Sequence, residues 1–385
     1  MSAGYGGVAV AAPVTFGYAL RSERDVGWFI GSTLASLIQR AGVRKLDVDG
    51  LVIASYTLAP DHSASMAEAL GLQPRFLADL PFGGASGVVA LKRAARAVQA
   101  GDADVVACIA ADVAPTGDGI GANFSRFARD HVYPYGAGGA NSMFALITDR
   151  YMRSHGVSRE DFGALCVAQR RNGMLFPGAL MRTELSLQDY LAARPVCEPL
   201  HLFDCVRRCC GAEGFLVMSE ERARSLQLPH ALIAGAVEQH NGTAGQAVQT
   251  AVGLHGKVGD LYEQAGMGPE QADVIAAYDD YPVIVMLQLE ALGLCEPGGA
   301  AAWLRAREQA GRPALNTNGG MLCTGQAGAA GGFNGLTEVL RQLTGQALGI
   351  VVPFASVGLV SCYGTINYDR GICASAAMLT TGSRA

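Results

Sequence analysis

The chain has 385 residues, 50% hydrophobic and 16% charged, and its 29 Lys and Arg against 34 Asp and Glu leave a net charge of -5. A weakly acidic, interior-rich chain without a basic run is a poor match for nucleic acid. No apolar stretch approaches the roughly 18 to 20 residues that span a bilayer, and no basic segment precedes an apolar run near Met1, so neither a membrane span nor a signal peptide is expected.

Short apolar runs bounded by polar or glycine-containing segments predict buried strands at Val52–Ser55 and Val105–Ala111. Between them Val88–Gln99 carries apolar residues at helical spacing with Lys92, Arg93 and Arg96 on the other face. Residues 113–200 interrupt this pattern with Gly-, Tyr- and Pro-rich loops, including Tyr133–Gly139, and with a short helix at Arg159–Asn172; an insertion of that length is expected to be functional. The pattern then repeats. A strand at Val274–Ala277, a helix at Val283–Leu292, a glycine loop over 316–332, a helix at Leu336–Thr344 and strands at Gly349–Val352 and Ser375–Thr380 make a second βαβαβ half. Fifty glycines call for close helix-to-sheet packing. Residues 1–237 and 238–385 are the expected halves.

Ten cysteines, several inside apolar segments (Cys108, Cys166, Cys373), read as small buried hydrophobes in a reducing cytoplasm. Cys205, Cys209 and Cys210 cluster without a second CxxC or a histidine pair at finger spacing, so no metal is expected there.

Five segments carry a more specific signal. Leu80-Pro-Phe-Gly-Gly-Ala-Ser-Gly-Val-Val-Ala-Leu91 resembles the Cys-Ala-Ser-Gly turn that opens the nucleophile helix of thiolases, closest to their sterol-carrier or lipid-transfer branch, with Gly84 in the cysteine's place. Asn316-Thr-Asn-Gly-Gly320 resembles the family's Asn-Thr-Ser-Gly-Gly loop, and Gly325-Gln-Ala-Gly-Ala-Ala-Gly331 its Gly-His-Pro-x-Gly-Ala motif, with Gln326 for the histidine. Tyr278-Asp279-Asp280-Tyr281 is similar to its Asn-Glu-Ala-Phe segment, and Ser361-Cys-Tyr-Gly364 to its late Cys-x-Gly motif, keeping Cys362. Weaker matches at Asn172–Pro177, Arg182 and Pro199–Cys205 fall in the family's loop domain. The resemblance implies a layered α/β/α/β/α sandwich of two similar halves, with residues 113–200 as a loop domain over an acyl-CoA tunnel.

It also distributes roles. A thiolase acylates its cysteine, and Gly84 offers no atom to acylate. Gln326 cannot take a proton at neutral pH, but its amide can donate to a developing oxyanion; otherwise it satisfies backbone groups at a loop tip. Cys362 is the candidate acid/base, its alternative being a buried cysteine at a strand end. Tyr278 stands where the family positions a water or oxyanion and is a phenol donor, a proton shuttle if its pKa is lowered, or core, so that Tyr278 or Cys362 is expected to handle the proton; Tyr281 and Tyr363 are packing or pocket residues. Asp279 is expected to be structural. Ser86 matches the family's ordinary serine rather than a substitute nucleophile, Cys323 reads as a buried hydrophobe, and Asn318 and Gly364 supply loop shape and backbone donors around the substrate. His131, His201 and His240 receive no role.

An enolate hole without an acyl-enzyme suits retro-aldol cleavage of a β-hydroxyacyl-CoA. The resemblance implies this activity, with coenzyme A as substrate carrier, no covalently held cofactor, pairing as a homodimer through Phe76–Leu80, and a small OB-fold, zinc-ribbon partner protein. A β-ketoacyl-CoA thiolase with an atypical site and a non-catalytic subunit supporting an active partner are the alternatives.

Overall fold

The computed structural model describes residues 4–114, 130, 133–137, 139–254, 256–311, 315–367 and 370–382. Nine strands form one hydrogen-bonded sheet: β1 (Val8–Ala19), β2 (Gly50–Ala54), β3 (Phe76–Asp79), β4 (Val105–Asp112), β7 (Cys210–Ser219), β8 (His230–His240), β9 (Val274–Ala277), β10 (Val357–Asn367) and β11 (Arg370–Thr381). A separate hairpin joins β5 (Pro195–Cys197) to β6 (Leu200–His201). The large sheet runs β3-β2-β4-β7-β1-β8-β11-β10-β9. Its left part, β3-β2-β4-β7-β1, and its right part read inward, β9-β10-β11-β8, share one plan, with no counterpart of β3 in the second among the described residues. The parts meet over three residue pairs, Ala9–Ala11 of β1 against Leu232–His230 of β8. The boundary expected after Val237 falls inside β8, which pairs with both β1 and β11.

One expected strand needs correction. Gly349–Val352 has strand-like composition but joins no sheet. The Gln342 side chain takes up its backbone instead, donating from Nε2 to the Ile350 carbonyl at 2.7 Å and accepting from Val352 N–H at 3.0 Å. A buried side-chain amide, which both donates and accepts, can satisfy the polar groups that a neighbouring strand otherwise would.

Strand alternation builds five layers, because successive side chains point to opposite faces. In β2 and β4, Leu51, Ile53, Val105, Ala107 and Ile109 pack outward with α1 (Val26–Ala41) and α2 (Ser63–Leu70), while Val52, Ala54, Val106, Cys108 and Ala110 pack inward. Their inward partners are α3 (Ser86–Ala100) and the helix Gly331–Leu343, which touch strands of both halves. In β9 and β10, Val274, Ala276, Val360 and Cys362 face that same inner pair, while Ile275, Ala277, Leu359 and Tyr363 face outward. The outward set is covered by the helix Pro282–Ala291 and by the inserted segment, whose helices Ala140–His155 and Arg159–Leu175 join the same core. The layered α/β/α/β/α arrangement with its loop domain is therefore the observed fold.

The two inner helices meet at their N-termini with almost no side chain between them. A Cβ added to Gly87 would fall 2.0 Å from the carbonyl oxygen of Gly332, and one on Gly332 would fall 2.6 Å from that of Gly84. Neither contact is with a flexible tip, so the backbones themselves would have to separate. Gly87→Ala is expected to destabilise the fold by about 3 kcal/mol, read as a lower urea midpoint; an unchanged midpoint would show that the helices are not in this contact.

Candidate active site

The strand β3 ends in a tight turn, Gly83–Ala85, from which α3 starts. Gly84 is buried there, and the space its side chain would need is already taken. A Cβ at this position would lie 2.2 Å from Tyr278 Cε2, 2.3 Å from Tyr278 Cζ and 2.2 Å from the carbonyl oxygen of Tyr363. The phenol ring of Tyr278, arriving from the end of β9, thus fills the slot of the absent side chain. Its hydroxyl accepts a hydrogen bond from Gln326 Nε2 at 2.7 Å, and its backbone is fixed by the Ser361 carbonyl at 3.0 Å and by Gln288 Oε1 at 3.2 Å. Burial, and then the neighbouring Asp280, push the Tyr278 hydroxyl well above the usual phenol range, so the phenol keeps its proton.

Gln326 is positioned by its own backbone. It bridges to the segment at Arg208, its N–H donating to the Arg207 carbonyl at 2.8 Å and its carbonyl accepting from Cys209 N–H at 3.1 Å. The loop that follows is tied to the first half by Asp112 at the end of β4. This buried carboxylate accepts from Ala329 N–H at 2.7 Å, and also from Ser55 Oγ, Tyr56 N–H and both Thr57 donors at 2.7 to 2.9 Å. One anion thereby holds together the Gln326 loop and the turn carrying Tyr56, whose hydroxyl lies over Gly83.

Of the remaining candidates, some frame the site and others turn away from it. Gly364 presses backbone to backbone on the turn, with room for no Cβ: Gly84 N would be 2.5 Å away and Ala85 N 2.6 Å. Asn318 is buried with both ends of its amide engaged, donating to Asn334 Oδ1 at 3.0 Å and accepting from Gly320 N–H at 2.9 Å, so it shapes the loop. Asn316 similarly pairs both amide ends with the backbone of Ala277 at 3.0 Å. Asp279 accepts from Met321 N–H, Leu322 N–H and Gln169 Nε2 at 2.6 to 3.2 Å, the structural role expected of it. Tyr281 donates to Asn141 Oδ1 and stacks on Phe144 with ring centroids 4.0 Å apart, which docks the inserted segment.

The two residues of the late motif diverge because they alternate along β10. Tyr363 points outward and donates to Gln249 Oε1. Cys362 points into the inner helix layer, its thiol donating to the Gly332 carbonyl at 3.4 Å, and burial pushes it up to about 12. Ser86 and Cys323 are both buried, the first without a partner for its hydroxyl among the described residues, the second donating to the Gln169 carbonyl at 3.4 Å. His201 contacts the Pro199 carbonyl, His240 sits beside Cys373 Sγ at 3.2 Å, and His131 lies outside the described residues.

Two residues without an expected role belong to this region. Asp280 is buried beside Tyr278 with Oδ1 unpartnered among the described residues. Tyr56 lies over the Gly83 turn. For Asp280 a signal existed, since an acid occupies the alanine position of the Asn-Glu-Ala-Phe pattern; for Tyr56, a residue past the end of β2, none did.

Residues 235–373 match the family described as "Thiolase C-terminal domain-like". A steroid side-chain-cleaving aldolase of Thermomonospora curvata is 31% identical over 363 residues, covering 89% of this chain and 92% of that one. The chain belongs to the thiolase superfamily. Within it, a 17-hydroxy-3-oxo-4-pregnene-20-carboxyl-CoA lyase of Mycobacterium tuberculosis is also 31% identical, over 82% of this chain and 85% of its own. The solved Ltp2-ChsH2(DUF35) aldolase superposes with a TM-score of 0.84 at 27% identity, over 99% of both chains. This thiolase-superfamily protein thus has acyl-CoA lyases among its relatives, and it carries a tyrosine ring where a side chain at Gly84 would lie.

The crowding at Gly84 sets up a stability cycle. Gly84→Ala is expected to cost about 3 kcal/mol, and Tyr278→Ala to recover only part of it, because the Tyr363 carbonyl stays 2.2 Å from the new Cβ. Urea midpoints of both single variants and the double variant should give a coupling of about 1 to 2 kcal/mol; strict additivity would mean that the ring is elsewhere.

Proposed function

We propose that this protein is an acyl-CoA aldolase that cleaves the Cα–Cβ bond of a β-hydroxyacyl-CoA with a bulky acyl group, of the steroid side-chain type, through a thioester enolate and without an acyl-enzyme. The observation that carries the reading is the Tyr278 ring where a side chain at Gly84 would lie, hydrogen-bonded to Gln326. A donor that cannot be acylated, held by a second donor, suits an oxygen that gains negative charge. Tyr278 donates to the thioester oxygen as the enolate forms, and the Gln326 amide keeps the phenol oxygen oriented and shares the charge. The bond pair of Cα–Cβ passes into the enolate, the hydroxyl-bearing carbon leaves as a ketone, and Cα is reprotonated. Thiolysis through Cys362 finds less support, since its thiol faces the inner helices and is held protonated.

Coenzyme A carries the substrate, and the inserted segment, docked through Tyr281 and Phe144, covers the site. A small DUF35-type protein, as in the complex of the related aldolase, is the proposed partner. The edge strand β3, whose residues are alternately exposed, is the proposed homodimer seam. Unpaired edge groups favour such pairing.

Incubation with acetyl-CoA or acetoacetyl-CoA should leave the peptide containing Gly84 and Ser86 unmodified by mass spectrometry; an acyl adduct there would reinstate a covalent mechanism. With the partner present, Gln326→Ala should lower kcat on a β-hydroxyacyl-CoA by about 10² to 10³. Tyr278→Phe should cost more than Cys362→Ala, and the reverse order would move the chemistry to the thiol. Wild-type protein inactive on every β-hydroxyacyl-CoA would leave the supporting-subunit reading. Light scattering should report a species larger than the 40.0 kDa chain; a stable monomer at micromolar concentration counts against the β3 seam.

A further inference from the structure

The reaction proposed above needs a group that takes the β-hydroxyl proton, and the residues discussed so far supply none: Tyr278 is neutral, Gln326 has no basicity and the Cys362 thiol faces away. The buried carboxylates around the site are occupied, with one exception. Asp112 is saturated by the 55–57 turn and Ala329, and Asp279 by Met321, Leu322 and Gln169. Asp280 is only 7% exposed, and its Oδ1 has neither a hydrogen-bond partner nor a salt bridge among the described residues. An acceptor buried in that condition destabilises the fold, and a ligand that donates to it removes that cost.

We propose that Asp280 is the acceptor for the substrate β-hydroxyl, selecting hydroxylated acyl-CoAs and receiving their proton. The inference rests on the aldolase reading and deepens it. The carboxylate lies two residues beyond Tyr278 on the segment that leaves β9, both side chains are buried, and its charge acts on the hydroxyls of Tyr278, Tyr281 and Tyr56 and on the Cys205 thiol, which puts it in the neighbourhood of the oxyanion donor. In the step, the hydroxyl proton passes to Asp280 Oδ1 and the O–H pair becomes the C=O bond of the departing ketone. The Cα–Cβ pair becomes the enolate held at Tyr278, and the proton returns from Asp280 to Cα, so no oxidant or co-reactant is consumed. Besides Asp279, the titratable and charged groups around it are Tyr278 and Tyr281 on its own segment, Tyr56 on the turn after β2, and Cys205 with Arg208, which acts on Tyr281, on the segment before β7. Burial and then Asp279 push the carboxyl well above its usual range, which makes the ionised form a stronger base and places the acidic limb of the rate profile above that of an ordinary carboxylate.

The test uses Asp280→Asn and Asp280→Glu in the full chain with its partner, near-ultraviolet circular dichroism verifying the fold. By calorimetry the wild type should bind a β-hydroxyacyl-CoA about 10²-fold tighter than the matching acyl-CoA lacking the hydroxyl. Asp280→Asn should shrink that ratio at least tenfold, lower kcat by about 10² to 10⁴ and lose the acidic limb, and Asp280→Glu should restore part of kcat together with a shifted limb. An active wild type whose Asp280→Asn variant keeps its selectivity and acidic limb overturns the assignment and leaves the aldolase reading standing. A wild type that is inactive but still selects the hydroxylated ligand through Asp280 overturns the aldolase reading and retains the hydroxyl site. A wild type with neither property overturns both.

Discussion

Backbone-on-backbone contact at the start of α3 is the constraint on which the site depends. Gly84 lies against the Tyr363 carbonyl, Gly364 against the amides of Gly84 and Ala85, and Gly87 against the Gly332 carbonyl. These contacts bring together the first halves of two helices and the end of β10, segments drawn from both halves of the chain. Without side chains in the gap, small shifts cannot be absorbed by rotamer changes, so the turn is fixed as rigidly as the sheets behind it.

Around that contact, polar side chains stand in for secondary structure wherever loops come to the site. Asn316 pairs with Ala277 as an adjoining strand would, Gln342 does the same for residues 350–352, and Asp112 gathers two loops on one carboxylate. A further buried group, Glu213 on β7, accepts from Thr15, Asn334 and Thr337 and so links both halves; burial pushes it up to about 7. Each is a buried polar group with its partners supplied, the condition under which such groups rigidify a fold.

Within this frame, position 84 carries no side chain, and a ring that leaves the end of β9 in the opposite half lies where one would be, held by the Gln326 amide. Two consecutive acids, Asp279 and Asp280, take opposite roles: the first is consumed in holding Met321 and Leu322, the second remains open.

The sequence by itself determined the superfamily, the two-half α/β plan and the absence of an acylable atom at Gly84, because motif glycines and strand or helix periodicity are local properties written in short segments. It also located the strands β2, β4 and β9 and part of β11, and the helices Ser86–Ala100, Arg159–Leu175, Pro282–Ala291 and Gly331–Leu343, but left the long strands β1, β7, β8 and β10 unassigned. Only the tertiary structure decided that Gly349–Val352 is no strand, since that turned on a side chain from a neighbouring helix rather than on its own apolar run. Only it separated Cys362 from Tyr363, adjacent residues sent to opposite faces of β10, and showed both ends of the Asn318 amide engaged. Tyr278 and Gly84 are far apart in the chain, and the fit of one ring into the other's empty space exists only where the two halves pack; the same packing leaves Asp280 Oδ1 without a hydrogen-bond partner among the described residues.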